Sequence, residues 1–191
     1  MKSFDLGLVK QLYETVYLAK PEEPEETKIE PLSERIENLP PVEEARLIRL
    51  GAQQIAEGKV AVALMAGGSG TRLKFDHPKG LYKPGVPSEK SIFQLLAERF
   101  RGAERFARSL ARGGARRCKW LIMTSEENHN ETVEYFQSEG YFGIKDQLTF
   151  FPQGMLPALT FEGKIIMETP GKIARSGNGN GGLLEAFRAR T

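Results

Sequence analysis

The residues best suited to chemistry lie close together between Lys59 and Gly80, in the run KVAVALMAGGSGTRLKFDHPKG. Val60 to Met65 is an apolar run of the length of a buried strand. It breaks into Ala66-Gly67-Gly68-Ser69-Gly70-Thr71-Arg72, a glycine-rich turn ending on a fixed positive charge. Glycines let a backbone approach a ligand with no Cβ in between. Successive free N–H groups in such a turn make a concave anion site, and arginine offers a planar fork to phosphate oxygens. Seven residues after Arg72, a second cation, Lys79, sits between Pro78 and Gly80. This reads as a nucleotide-phosphate cradle at the carboxyl end of a strand, where open α/β sheets bind ligands. It is not a Walker loop, because no lysine follows the glycines, and Leu73 stands where a dinucleotide fingerprint needs its third glycine.

Elements that could position this turn follow in order. Lys119 to Thr124 is a second buried-strand run and Leu148 to Phe151 a third. Between them the spacing predicts a long helix from an N-cap at Ser91 through Arg112, and another over Glu126 to Ser138. Strand, helix, strand, helix, strand is the pattern of a parallel sheet. On the long helix Ile92, Leu96, Phe100, Ala103, Ala107 and Leu110 form the expected buried stripe, while Arg101, Arg105, Arg108 and Arg112 form a solvated one. Leu81 to Ser88 reads as a short strand and turn. Ala158–Phe161 and Lys164–Met167 flank Glu162-Gly163 as a two-residue hairpin. Upstream, residues 4–19 and Val42 to Glu57 read as helices, the second preceded by Pro40-Pro41 and closed by Gly58, with the acidic KPEEPEETKIEP linker between. The chain ends with Gly177-Asn178-Gly179-Asn180-Gly181-Gly182 opening a helix from Leu183.

Composition narrows the classes. The chain has 191 residues, 40% of them hydrophobic, and 27 basic against 25 acidic residues. That balance argues against a dedicated nucleic-acid or membrane-surface binder. Cys118 is the single cysteine, so no internal disulfide can form. No apolar run approaches the roughly 20 residues of a membrane span. No signal-like apolar segment opens the sequence, and a cytoplasmic location is the expectation. Oligomeric state is not legible. His77 and His129 are isolated and no direct role is expected for either.

Ala66-Gly67-Gly68-Ser69-Gly70-Thr71-Arg72-Leu73 followed by Pro78-Lys79-Gly80 resembles the signature of the eukaryotic-type UDP-sugar pyrophosphorylases, closest to their UDP-N-acetylglucosamine (UDP-N-acetylhexosamine) branch. The UDP-glucose branch usually carries an asparagine before the paired glycines and lacks the Thr-Arg pair. Gln153-Gly154-Met155-Leu156-Pro157-Ala158 is similar to the family's uracil-reading segment, and Gly179-Asn180-Gly181-Gly182 to its nucleoside-binding glycine segment. An amide suits base reading because it offers both a donor and an acceptor.

The resemblance implies an α/β fold: a Rossmann-like, doubly wound, mostly parallel sheet of the nucleotide-diphospho-sugar transferase type, truncated, with an N-terminal helical appendage. Residues 1–58 would be appendage and linker, and 59–191 the N-terminal part of the nucleotide-binding domain. The implied reaction joins UTP and N-acetylglucosamine-1-phosphate, giving UDP-N-acetylglucosamine and pyrophosphate. Met65, Ala66, Gly67, Gly68, Gln153, Gly179 and Asn180 would bind substrate. Arg72 would neutralise the leaving pyrophosphate and Lys79 the α-phosphate. Magnesium is the implied cofactor, with its aspartate ligand expected beyond Thr191 and no metal ligand among these residues. Lys74 departs from the family, which generally has glycine there, and Gly177-Asn178 replaces a common Pro-Asp. Two other readings stay open: a UDP-glucose or broad UDP-sugar pyrophosphorylase, and a non-catalytic nucleotide-binding module.

Overall fold

The computed structural model describes residues 5–19, 31, 39–85, 87–113 and 116–188. The expected acidic linker therefore lies outside the described residues except for Pro31. Packing divides the chain into two compact units, one of residues 1–38 with 154–178 and the other of residues 39–153 with 179–191. Helix α2 (Pro41–Ala56), placed by the sequence in the appendage, belongs to the second unit and packs on the long helix Ile92–Leu110. Its Pro41 is the first helical residue, where the missing N–H costs nothing. Gly58 ends it at φ 69°.

The second unit is built on a three-stranded parallel sheet in the order β1-β2-β3, with β1 at Ala61–Met65, β2 at Lys119–Thr124 and β3 at Leu148–Pro152. The register sets Met65 beside Met123, and Thr124 beside Pro152, so all three carboxyl ends reach one edge. Parallel neighbours need crossovers, and α3 (Ile92–Leu110) and α4 (His129–Ser138) supply them. Ser91 caps α3, its Oγ accepting from the Gln94 N–H at 3.1 Å, and also accepts from the Tyr135 hydroxyl at 2.8 Å.

The core is aromatic. Phe93 and Phe100 of α3, Trp120 of β2 and Phe136 of α4 are all buried, with Phe136 ringed by Phe93, Trp120 and Phe150 at 5.0 to 5.9 Å between centroids. The buried stripe of α3 is Phe93, Ala97, Phe100, Glu104 and Ala107. It is displaced from the expected one: Ile92 and Leu96 are only half-buried, and Ala103 and Leu110 are exposed. The reason is Glu104, a carboxylate at 3% exposure that an apolar count passes over. Its Oε1 accepts from the Cys118 N–H at 2.9 Å and the Gln147 amide at 3.0 Å, and Arg108 pairs with it at 3.2 Å. Burial, and then the Glu104 charge, push the Cys118 thiol above its ordinary pKa. Of the arginine stripe, Arg101 donates to the Phe142 carbonyl at 3.2 Å and Arg105 and Arg112 are exposed.

Of the expected strand and turn over Leu81 to Ser88, the described residues form the turn, at Pro87 and Ser88, and no strand. After a 3-10 turn at Lys79–Leu81 the chain is irregular, since Pro84 and Pro87 lack the N–H a ladder needs.

In the first unit, α1 (Leu6–Leu12) runs into a π-helical turn, Tyr13–Leu18, within the expected helix. The Tyr13 hydroxyl donates to the Phe161 carbonyl at 2.8 Å. The 158–167 segment turns through a three-residue loop rather than two: Gly163 N–H donates to Thr160 at 3.0 Å and Thr160 N–H to Lys164 at 2.8 Å. Gly163 takes φ 79°, the left-handed residue that completes such a loop. Two short antiparallel pairs escaped the sequence: β4 (Met155–Pro157) with β7 (Arg175–Gly177), and β5 (Met167–Thr169) with β6 (Lys172–Ile173).

Candidate nucleotide site

Met65 to Gly68, Arg72, Lys79, Gln153, Gly179 and Asn180 fall in the second unit, whereas Gly154 to Ala158 of the uracil-reading segment fall in the first. At the sheet edge the Ala66 N–H donates to Met123 O at 2.6 Å, continuing the β1–β2 ladder one step beyond Met65. The ladder then stops. Among the described residues, the N–H groups of Gly67, Gly68 and Ser69 have no hydrogen-bond partner. Three successive donors are thus left unpaired in the turn that the sequence reads as an anion cradle.

The turn is closed behind them. Lys79 N–H donates to Gly68 O at 3.1 Å and Gly70 N–H to His77 O at 3.0 Å, bridging Ser69 and Pro78. Residues 71–73 form a 3-10 turn capped by Lys74 in the left-handed conformation, φ 52°. That conformation gives the physical reason a glycine suits this position. Gly70 is needed for space: a Cβ there would lie 2.5 Å from the Phe75 carbonyl oxygen.

Gln153 follows β3, its N–H donating to Thr124 O at 2.7 Å, and its side chain returns toward the turn. A Cβ on Gly67 would lie 3.4 Å from Gln153 Oε1 and 3.3 Å from Ser125 N, and one on Gly68 3.9 Å from Lys79 Nζ. The structure thus brings together Ala66, Gly67, Gly68, Gln153 and Lys79, with the carboxamide beside Gly67 and the cation beside Gly68. Arg72 and Lys79 are exposed and pair with no carboxylate of the described residues. Two unneutralised cations flanking free N–H groups suit a polyanion. Met65 ends β1 at 49% exposure. Gly179, at φ 75°, and Asn180 open α5 (Gly182–Arg188), which packs on β3, but no hydrogen bond joins them to the glycine turn.

Three features were not read from the sequence. Asn128 bonds Ala66 and Ser125, His77 Nδ1 meets Glu131 at 2.6 Å, and His129 Nδ1 meets Thr124 Oγ1 at 2.7 Å. All three contacts reach from the start of α4 to the strand ends or the turn. Ser125-x-x-Asn128, a capping-type spacing, was the available signal.

The sequence pattern of the UTP–glucose-1-phosphate uridylyltransferase family matches residues 8–191. The chain is 43% identical over 146 residues to UDP-N-acetylglucosamine diphosphorylase 2 of Arabidopsis thaliana, covering 74% of this chain and 29% of that protein. It is 44% identical over 142 residues to the UDP-N-acetylglucosamine pyrophosphorylase of Saccharomyces cerevisiae, covering 73% of this chain and 29% of that protein. Among solved structures it is similar to the uridine diphosphate N-acetylglucosamine pyrophosphorylase of Trypanosoma brucei, crystallised with an inhibitor. The TM-score is 0.70 and the identity 37%, over 76% of this chain and 29% of that one. The chain spans less than a third of the length of these relatives.

Proposed function

The chain belongs to the UTP–glucose-1-phosphate uridylyltransferase family, and within it we propose that this chain holds the uridine nucleotide of an enzyme making UDP-N-acetylglucosamine. The observation that carries the reading is the row of free N–H groups at Gly67, Gly68 and Ser69, with Gln153 beside Gly67 and Lys79 beside Gly68. A uracil edge needs a donor and an acceptor, which Gln153 and the Gly67 N–H supply together. A triphosphate needs neutralising charge, which Lys79 and Arg72 supply. N-Acetylglucosamine is favoured over glucose because the Arabidopsis and yeast relatives, at 43% and 44% identity, carry that sugar in their names.

In this mechanism an oxygen of the sugar phosphate attacks the α-phosphorus of UTP in line, the new P–O bond forming as the bond to pyrophosphate breaks. The attacking group is already an anion, so no general base is required. Catalysis is positioning and charge neutralisation, with Lys79 at the α-phosphate and Arg72 at the departing pyrophosphate. Gly179 and Asn180 would complete the nucleoside side, and Met65 the floor beside Ala66. A divalent metal, magnesium in this reading, would add charge neutralisation. Among the described residues no three His, Cys, Asp or Glu side chains gather as a metal-binding group.

The test is to assay the gene product at its full encoded length with a panel of sugar phosphates and nucleoside triphosphates. UTP with N-acetylglucosamine-1-phosphate is expected to be preferred; preference for ATP or for glucose-1-phosphate would sink the assignment. In the same protein Arg72→Ala is expected to cost about 3 kcal/mol or more in turnover, roughly a hundredfold, with uridine binding little changed. Gln153→Ala is expected to relax base choice with a milder effect on rate.

A further inference from the structure

We propose that Asn128 is the positioning residue for base recognition: its side-chain amide pins the Ala66 carbonyl and so aims the Gly67 N–H into the site. The inference rests on the uridine reading of that site and adds the residue that sets its geometry.

Asn128 occupies the N-cap position of α4, where an asparagine normally accepts from the first helical N–H groups. Here its side chain makes no such bond. Instead it turns back to the sheet edge. Oδ1 accepts from Ser125 N–H at 2.8 Å and Nδ2 donates to Ala66 O at 3.0 Å. The main-chain N–H of Asn128 is held by Ser125 Oγ at 3.1 Å. One carboxamide, at 8% exposure, therefore ties the end of β1 to the residue following β2, and the helix forgoes its side-chain cap.

The carbonyl of Ala66 and the N–H of Gly67 belong to one planar trans peptide, so they point in opposite directions. Fixing the oxygen fixes the N–H. The preceding peptide is already locked by the bond from Ala66 N–H to Met123 O. Beyond Ala66 nothing in the ladder restrains the chain, and Gly67 has the backbone freedom to rotate the plane. Asn128 supplies the missing restraint at the peptide that faces Gln153. A rotated plane would present a carbonyl where a donor is required, and would then repel the acceptor on the base.

Asn128→Asp separates this role from helix or loop stability. It keeps an oxygen for the Ser125 N–H but sets an acceptor against the Ala66 carbonyl and adds a negative charge; UTP and CTP carry the same phosphate charge, so their affinity ratio reads the positioning role apart from that charge. Titrating the full chain with UTP and with CTP by calorimetry, the variant is expected to bind UTP about tenfold more weakly, as one directed hydrogen bond implies, and to lose discrimination against CTP. Its Gly67 amide resonance should move. Unchanged UTP affinity, UTP-to-CTP ratio and Gly67 resonance would overturn the proposal. In the wild type the Asn128 Nδ2 protons should exchange slowly with solvent; exchange at the rate of a free amide would overturn it even if the variant does not fold. Failure of the wild type itself to prefer UTP would instead overturn the uridine reading, and the positioning role with it.

Discussion

A Cβ at Gly80 would fall inside the ring of Phe93, which is fully buried between α3 and α4. The glycine of Pro78-Lys79-Gly80 is thus a packing residue that lets the loop carrying Lys79 lie directly on the core. Gly80→Ala must displace an aromatic ring that has no free space, and overpacking of this kind costs about 1–3 kcal/mol. Lys74 presents the opposite case. Its φ of 52° strains an L side chain, and the residue is exposed with no packing to lose. Lys74→Gly is expected to raise stability by about 0.5–1 kcal/mol. Urea unfolding of the two variants checks both signs; destabilisation by Lys74→Gly, or neutrality of Gly80→Ala, would refute these assignments.

Among the elements, α3 is tied to β2 and to the turn before β3 through one buried carboxylate. Removing Glu104 leaves the Cys118 N–H and one bond of the Gln147 amide unmade, and frees Arg108. Glu104→Ala is expected to cost about 3 kcal/mol, since each buried donor left unsatisfied costs 1–3 kcal/mol. Cys118 reports on the same place. Its folded pKa is raised, so the stability it contributes is full below the unfolded thiol's pKa and is lost as pH rises through the folded value. The thiol should resist alkylation in the native chain near neutral pH and react readily in Glu104→Ala. Equal reactivity in both would count against the buried linkage.

The same elements mark how far the sequence could be read. β2 falls on Lys119–Thr124 as expected, because a continuous apolar run between two amphipathic segments has few other uses. The Ser91 cap is also legible, being a local rule. The stripe of α3 was misplaced because burial of Glu104 depends on partners 14 and 43 residues away in sequence. β4 and β7 pair Met155 with Gly177, and no local pattern announces such short strands across that separation. At the site, the glycines, Arg72, Lys79 and Gln153 could be named from types and order. Asn128 could not, because its use of a cap position for a different purpose appears only when β1 lies beside β2.

At the scale of the whole molecule, the candidate site belongs to one compact unit. Met65 to Lys79, Gln153, Gly179 and Asn180 all lie within residues 39–153 and 179–191. In that unit β1 has a single partner strand among the described residues, and its Val62 side is 42% exposed. Edge strands of this kind favour association, so binding is best followed in dilute protein. In the proposed function this unit recognises a uridine nucleotide through the turn after β1 and the amide after β3. The most direct measurement is a titration of the ¹⁵N-labelled chain with UTP, following backbone and side-chain amides. Saturable shifts at Gly67, Gly68, Ser69 and the Gln153 carboxamide, weaker with CTP, are the expected result. Shifts confined to residues 154–178, or none at the glycine turn, would contradict it.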